Sequence, residues 1–187
     1  GVIDEPPCTA QSSSPMRIAL CQINPLVGDL EGNARRILER GREAHQQGAL
    51  LALFPELALV GYPPRDLLDR PSFVARIEGT LAKLAADMPE ELCALVGFPE
   101  LAPSDQRPRL YNSVAVLRGG EVQQVLRKQL LPSYDVFDER RYFARGEPPA
   151  LIEVGGLKVG VTICEDAWAD GGDLAVSRYA QNPVEAV

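Results

Sequence analysis

The sequence predicts an α/β sandwich built around a mixed β-sheet. Short apolar runs typical of strands alternate with two long amphipathic stretches typical of helices. Paired glycines, Gly119-Gly120 and Gly155-Gly156, separate further strand-like runs in the manner of β-hairpins. Strands that alternate with helices and also form hairpins are typical of an α/β fold whose sheet mixes parallel and antiparallel neighbours.

The first half of the chain predicts three strands and two helices. Residues 17–23 alternate in the manner of a strand, and the continuous apolar runs at 49–54 and 93–98 suit buried strands. Asp29 can cap a helix that continues to about Gln47, and a second helix is predicted over residues 72–88. The apolar stripe of this second helix consists of Phe73, Ile77, Leu81, Leu84 and Met88.

The second half predicts two hairpins and a long irregular segment. The arms at 114–117 and 122–126 form the first hairpin, and those at 151–154 and 157–163 form the second. Residues 129–147 show no clear period, and so long an ordered loop is more often functional than filler. A last helix over 173–181 and a strand over 184–187 complete the prediction.

Composition excludes several classes of function. The net charge of −7 argues against nucleic acid as a partner, because phosphate binding needs a basic surface. No apolar run approaches the roughly 20 residues that a membrane span needs, and no secretory signal is visible. We therefore expect a cytoplasmic protein without a membrane partner.

The cysteines argue against a metal site and against disulfides. Cys8, Cys21, Cys93 and Cys164 are scattered without a CxxC pair, and His45 is the sole histidine. Structural zinc needs clustered thiolates or imidazoles, so no metal is predicted. We expect free thiols, and we expect His45 to be solvated near a helix end.

Residues 16–187 are predicted to form one domain. Residues 1–15 have the composition of a disordered leader or an expression remnant. The chain stops as a new strand begins, so we expect a fragment of a longer protein. An unfinished sheet exposes an edge, which favours association, and we expect a homo-oligomer.

A reactive cysteine is predicted at the end of the last hairpin. Leu157, Val159, Val161 and Ile163 alternate with smaller or polar residues, as in a strand with one buried face, and Cys164 follows at once. A nucleophile at a strand end can project from a sharp turn. A buried cysteine that acts as a small hydrophobe remains the alternative.

Two other strand ends carry charged residues that could complete a nucleophilic site. Glu56 follows one strand, and Lys128 follows the first hairpin. A carboxylate could take the thiol proton of Cys164, and an ammonium could stabilise an oxyanion. Spacing alone does not bring the three together, and an exposed loop glutamate remains the alternative for Glu56.

Three segments resemble the signature segments of the nitrilase, or carbon–nitrogen hydrolase, superfamily. They are FPE at 54–56, RKQLLP at 127–132 and ICED at 163–166. The longer segment KQLLPSYDVFDERRYF at 128–143 resembles the glutaminase domains of glutamine-dependent NAD synthetases. The likeness covers about residues 16–187. It implies a nitrilase-like α-β-β-α sandwich with mixed sheets, which is C-terminally incomplete in this chain.

The resemblance also implies roles for the charged residues. Glu56, Lys128 and Cys164 match its catalytic triad, in which the cysteine attacks the amide of glutamine and forms a thioester. Glu139 matches a second glutamate that helps to hold the lysine and the base. For Glu139 the alternative is a surface salt bridge with a neighbouring arginine.

Three further residues match the glutamine pocket of that family. Tyr62 and Tyr134 match tyrosines that line it, and Glu165 matches a contact to the substrate α-amino group whose backbone N–H serves the oxyanion. Packing against the proline loops is the alternative for the tyrosines, and a solvated turn is the alternative for Glu165.

The resemblance implies glutamine as the substrate and a synthetase domain as the partner. No cofactor is expected for the glutaminase step, and ATP and Mg are expected only in the synthetase domain, whose phosphate-binding glycine motif does not occur here. Two other functions stay open. One is an amidase for another small amide, and the other is a catalytically silent interaction domain.

Overall fold

The computed structural model describes residues 15–103, 108–135, 137–148 and 150–168, together with Val184. The helices and strands are β1 (Ile18–Leu20), α1 (Leu30–Gln46), β2 (Leu51–Leu53), a 3₁₀ helix (Arg65–Asp69), α2 (Pro71–Asp87), β3 (Cys93–Leu101), β4 (Leu110–Arg118), β5 (Glu121–Arg127), α3 (Glu139–Tyr142), β6 (Phe143–Ala144), β7 (Leu151–Val154), β8 (Leu157–Gly160) and a second 3₁₀ helix (Cys164–Trp168). The leader before Pro15 and the predicted helix at 173–181 lie outside the described residues, as does the strand at 184–187 apart from Val184.

The main sheet is mixed, as the sequence predicts. Its strand order is β1-β2-β3-β4-β5, and β6 pairs with β4. The first three strands run parallel, whereas β3, β4 and β5 are antiparallel neighbours. The strands β7 and β8 form a separate antiparallel pair. Parallel strands joined by helices therefore lead directly into a meander of hairpins.

The two faces of the main sheet carry different layers. Helices α1 and α2 cover one face, where Ile37 and Leu84 share a core with Ala94 and Val96 of β3. Strands β7 and β8 cover the other face, where Ile152 packs with the core that contains Cys93 and Leu95. Because residues 93–98 of β3 are buried on both faces, this part of the strand is continuously apolar. The described residues thus build α, β and β layers.

The helix and turn signals of the sequence are confirmed. Asp29 caps α1 by accepting a hydrogen bond from the Gly32 N–H at 2.9 Å. All five residues of the stripe predicted for α2 are buried. Both glycines of each hairpin turn have positive φ values, 61° and 79° in the first and 58° and 77° in the second. Positive φ at both central residues is the type I′ geometry that suits the twist of a hairpin.

The prediction for the third strand was wrong at its C-terminal end. We expected the strand to end before Pro99, but β3 continues through that proline to Leu101 and pairs with β4 there. A proline interrupts a sheet only where its missing N–H is needed by a neighbour. Strand β2 pairs with β3 only as far as Leu95, so the edge beside Pro99 does not pair with β2.

The strand before Cys164 is shorter than the sequence predicts. Strand β8 ends at Gly160 because Gly160 pairs with Leu151, the first residue of β7. Leu157, predicted on the buried face, is 54% exposed. The segment at 129–147 also contains α3 and β6, which are too short to show a period in the sequence.

The loop that carries Glu56 passes very close to β3 at Gly97. A Cβ atom on Gly97 would lie 2.4 Å from the Leu57 nitrogen and 2.8 Å from the Pro55 oxygen. Both neighbours are backbone atoms, which cannot rotate away. The absence of a side chain at Gly97 is therefore what allows this loop to lie against the sheet.

We expect Gly97→Ala to lower the free energy of unfolding by about 1–3 kcal/mol, the usual cost of overpacking. Chemical denaturation measures the effect. Gly79→Ala is the matched control, since Gly79 lies in α2 with nothing within 4 Å of a new Cβ. It should raise stability by about 0.5–1 kcal/mol. Equal effects of the two substitutions would contradict the close approach at Gly97.

Candidate active site

Each predicted catalytic residue follows a strand in the chain, and Cys164 lies beyond the end of β8 at Gly160. Glu56 lies just after β2, Lys128 directly follows β5, and Cys164 opens the second 3₁₀ helix. Cys164 has a φ of 48° and Leu57, next to Glu56, has a φ of 51°. Few side chains adopt this left-handed conformation without a reason, and it is common at functional sites. The sharp turn predicted at Cys164 is confirmed.

Lys128 lies at the centre of a buried charge cluster. Its side chain is fully enclosed, and the residue is 1% exposed. The Nζ atom donates to Glu56 Oε1 at 2.7 Å and to Glu139 Oε1 and Oε2 at 3.0 and 2.9 Å. The structure therefore brings Glu56, Lys128 and Glu139 together. Glu139 is 4% exposed and faces this lysine, so it is not a surface salt-bridge partner.

The cluster keeps the lysine charged. Burial by itself would lower the pKa of Lys128, but Glu56 and Glu139 outweigh it, and the pKa is raised. Burial raises the pKa of Glu139, against the opposing effect of Lys128. Lys128 is accordingly a fixed cation, suited to stabilise negative charge and unsuited to act as a base.

The Cys164 thiol lies within the electrostatic field of this cluster. Burial and then the charge of Glu56 raise the pKa of the thiol, while Lys128 lowers it. The net effect is a raised pKa, so the thiol is mainly protonated near neutral pH. A nucleophilic attack must then transfer the proton as the new bond forms, and the neighbouring Glu56 is a carboxylate able to accept it.

Sequence reasoning missed Asn112, which joins the two carboxylates. It lies in β4, is 1% exposed, and its Nδ2 donates to Glu56 Oε1 at 2.6 Å. The same nitrogen lies 3.5 Å from Glu139 Oε2. A polar residue amid the buried residues of a central strand was the available signal, because buried amides need partners.

The backbone of Lys128 is fixed on both sides. Its N–H donates to the Asn112 carbonyl at 2.8 Å, and its carbonyl accepts from the Gly146 N–H at 2.8 Å. A Cβ on Gly146 would lie 2.5 Å from the Arg127 Cβ. Gly146 thus permits a close approach that the sequence alone did not reveal.

Three aromatic side chains lie together beside the charge cluster around Lys128. Tyr62 and Tyr134 both contact Phe137, with ring centroids 6.5 and 5.9 Å apart. The Tyr62 hydroxyl donates to Glu139 at 3.2 Å, and the Tyr134 hydroxyl lies 2.8 and 2.9 Å from the two oxygens of Glu165. Glu165 is buried, so it is not a solvated turn residue. Each tyrosine therefore contacts a glutamate of the predicted site.

Other sequence predictions concern residues away from the cluster. His45 lies near the end of α1, 3.8 Å from Glu91. Cys21, Cys93 and Cys164 are free thiols, as predicted, while Cys8 lies outside the described residues. Within the described ranges, no group of three or more histidine, cysteine or acidic side chains is arranged to hold a metal ion. No helix in that part of the chain is long and apolar enough to cross a membrane.

Comparison with protein families shows to which family this chain belongs. The profile of the carbon–nitrogen hydrolases matches residues 17–178, which include Glu56, Lys128 and Cys164. The chain belongs to the carbon–nitrogen hydrolase family. This membership confirms the resemblance seen in the three sequence segments.

Relatives of this carbon–nitrogen hydrolase include glutamine-dependent NAD(+) synthetases. The protein of that name from Synechocystis sp. is 44% identical over 172 residues, which cover 89% of this chain and 30% of that protein. The one from Thermotoga maritima is 45% identical over 154 residues, covering 82% and 26%. The chain therefore spans less than a third of the length of these relatives.

Solved structures confirm the nitrilase-like fold. The glutamine-dependent NAD+ synthetase from Acinetobacter baumannii matches with a TM-score of 0.75 at 39% identity, covering 81% of this chain and 28% of that one. An amidase from Nesterenkonia sp. matches with a TM-score of 0.66 at 28% identity, covering 81% and 56%. The carbon–nitrogen hydrolase fold is thus shared with proteins of both kinds.

We expect Glu56→Gln to speed the alkylation of Cys164 by iodoacetamide near neutral pH. The charge of Glu56 raises the pKa of the thiol, so its removal lowers that pKa and increases the thiolate fraction. The rate should rise about tenfold for each unit by which the pKa falls. Peptide mass spectrometry measures alkylation at Cys164, with buried Cys93 in the same sample as the control. An unchanged or slower rate would contradict the conclusion that the charge of Glu56 raises the pKa of the Cys164 thiol.

Lys128→Met should have the opposite effect on the thiol. It removes the charge that lowers the pKa of Cys164, so alkylation near neutral pH should slow. It also leaves the buried carboxylate of Glu139 and the half-buried one of Glu56 without their cation, which should cost about 3–5 kcal/mol of stability. Thermal and chemical unfolding measure this cost, and Lys83→Met on the exposed surface of α2 is the control. A variant as stable as the control would refute the central role of Lys128.

Proposed function

We propose that this chain is the glutaminase portion of a glutamine-dependent NAD synthetase. It hydrolyses the side-chain amide of glutamine to glutamate and ammonia through a thioester on Cys164. The observation that supports this most strongly is Cys164 in a left-handed turn within the electrostatic field of a lysine that two carboxylates hold. The names of the most similar relatives support glutamine as the substrate.

The first half of the reaction forms the thioester. The sulfur of Cys164 attacks the amide carbon while Glu56 accepts the thiol proton. The tetrahedral intermediate then collapses, the carbon–nitrogen bond breaks, and Glu56 returns the proton to the departing ammonia. No net charge is created in the site, which suits a cluster that already holds two carboxylates and one ammonium.

The second half of the reaction releases glutamate. Water attacks the thioester carbon, and Glu56 takes a proton from that water. The carbon–sulfur bond breaks, and the sulfur recovers the proton from Glu56. Glutamine and water are thereby converted to glutamate and ammonia, and the thiol of Cys164 is regenerated.

Lys128 stabilises the oxyanion of both tetrahedral intermediates. Its ammonium group carries three N–H bonds, of which one is directed to Glu56. When Glu139 shares a second N–H between its two oxygens, the third is left for the substrate. The backbone N–H of Glu165 is the second oxyanion donor in this proposal.

Glu165 and the two tyrosines select the substrate. In this proposal the buried carboxylate of Glu165, which follows Cys164 directly in the chain, binds the α-ammonium group of glutamine. Tyr134 fixes the orientation of Glu165 through its hydroxyl, and the rings of Tyr134 and Tyr62 line the pocket. A simple aliphatic amide would lack the charged contact to Glu165.

In the longer protein the ammonia would pass to a synthetase domain that converts deamido-NAD to NAD. ATP and Mg would serve that domain, and the glutaminase step needs no cofactor. A cytoplasmic location and a homo-oligomeric state remain predictions from the sequence.

An amidase for a different small amide is the second candidate, favoured by the match to the Nesterenkonia amidase. Ammonia release from glutamine and from a panel of simple amides decides between the two. The assay compares the folded chain, a chain extended to the length of its synthetase relatives, and the Cys164→Ala variant of each. Release from glutamine that the variant lacks supports the proposal, whereas release from simple amides alone supports the second candidate. An extended protein that is folded and inactive on every amide would indicate a silent interaction domain.

Glu165→Gln tests the substrate directly. It should lower kcat/KM for glutamine by roughly 10- to 100-fold, because a charged hydrogen bond contributes about 1.5–3 kcal/mol. Hydrolysis of propionamide, which has no α-amino group, should change little. Steady-state ammonia release with both amides is the measurement. Equal losses on the two amides would exclude a role for Glu165 in recognising the α-amino group.

A further inference from the structure

Among the residues that the structure describes, the carboxylate of Asp166 accepts its hydrogen bonds from backbone N–H groups. Its Oδ1 accepts from the Leu130 N–H at 2.7 Å and from the Gln129 N–H at 3.1 Å. Its Oδ2 accepts from the Ile163 N–H at 3.3 Å and more weakly from the Gln129 N–H at 3.4 Å. The residue is 3% exposed, and burial raises its pKa against the lowering effect of these donors.

These donors belong to the two segments that carry the lysine and the nucleophile. Gln129 directly follows Lys128, and Ile163 directly precedes Cys164. One buried carboxylate therefore joins the two segments by hydrogen bonds on both of its oxygens. Hydrogen bonds to an ionised group are about twice as strong as neutral ones. These bonds therefore restrict the movement of the two segments relative to each other.

We infer that Asp166 is a positioning residue that fixes the orientation of Cys164 relative to Lys128. For amide hydrolysis this inference rests on the function proposed above. For the reactivity of the thiol it rests on the geometry alone. A shift of the Cys164 turn would move the sulfur away from Lys128 and from the carboxylate that receives its proton.

The two oxygens of Asp166 have largely different partners, so one substitution can remove some of its hydrogen bonds and keep the others. In Asp166→Asn the amide oxygen can keep the two bonds to Gln129 and Leu130, while its NH₂ group then faces the Ile163 N–H. Two donors cannot bond to each other, so this variant loses the bond to Ile163 within the Cys164 turn and keeps the bonds across to Gln129 and Leu130.

The first measurement is the alkylation rate of Cys164 by iodoacetamide, followed by peptide mass spectrometry. A turn that moves away from the cluster loses the effect of Glu56, which raises the pKa of the thiol more than Lys128 lowers it, so the thiolate fraction and the rate should rise. Loss of the negative charge of Asp166 acts in the same direction, and Asp166→Glu, which keeps that charge, separates the two effects. We expect a roughly tenfold faster rate in Asp166→Asn, the effect of a one-unit fall in the thiol pKa. Asp87→Asn, an exposed position on α2, is the matched control and should leave the rate unchanged.

The second measurement is ammonia release from glutamine, divided by the number of sites titrated with an electrophilic glutamine analogue. Misalignment should lower kcat per titrated site roughly 100-fold with little change in KM, as expected for a displacement of about 1 Å. If the wild-type chain and its extended form release no ammonia, the proposed function fails while the alkylation rates still test Asp166.

Three outcomes would overturn the inference. The first is alkylation at an unchanged or slower rate in folded Asp166→Asn. The second is a loss of activity that is fully explained by fewer titrated sites. Asp166→Glu keeps the negative charge, and its longer side chain should also speed alkylation by displacing the Cys164 turn. The third is a wild-type rate in Asp166→Glu, or the failure of both variants to fold, which would make Asp166 a folding residue.

Discussion

Burial of a single positive charge constrains much of this structure. Lys128 is 1% exposed, and an ion removed from water must be balanced by partners at hydrogen-bond distance. Glu56 and Glu139 provide that balance, and Asn112 bridges them. The three charged residues come from different segments, so the segments must meet at one end of the sheet. The close contact at Gly97 is one consequence, because it lets the Glu56 loop reach the lysine.

The same cluster determines which chemistry the thiol can perform. Many nucleophilic cysteines pair with a histidine, but His45 lies at the end of α1 beside Glu91. The lysine is held as a cation by its carboxylates, and the thiol is kept mainly protonated by burial and by Glu56. Proton transfer to Glu56 during attack preserves the total charge of the site. Such an arrangement suits repeated attack on a neutral amide without a stable thiolate.

Much of the fold could be predicted because its signals are local. The cap at Asp29 and the paired glycines of the hairpins act within a few residues, and the structure confirms them. The positions of Glu56 and Lys128 after strands were also visible, whereas the strand predicted up to Cys164 ends at Gly160. Only the resemblance indicated that the three residues converge. Other residues act through contacts between distant segments. Gly146, Asn112 and Asp166 belong to this second group, as their neighbours in sequence say nothing about which backbone they approach.

Labelling by an electrophilic glutamine analogue tests the central claim most directly. The claim is that Cys164 is the nucleophile of a site that recognises glutamine. Peptide mass spectrometry of the folded chain should find the label on Cys164, and free glutamine should slow the labelling while propionamide does not. Label on Cys21 or Cys93 with Cys164 unmodified would contradict the account. Labelling of Cys164 that glutamine does not slow would also contradict it.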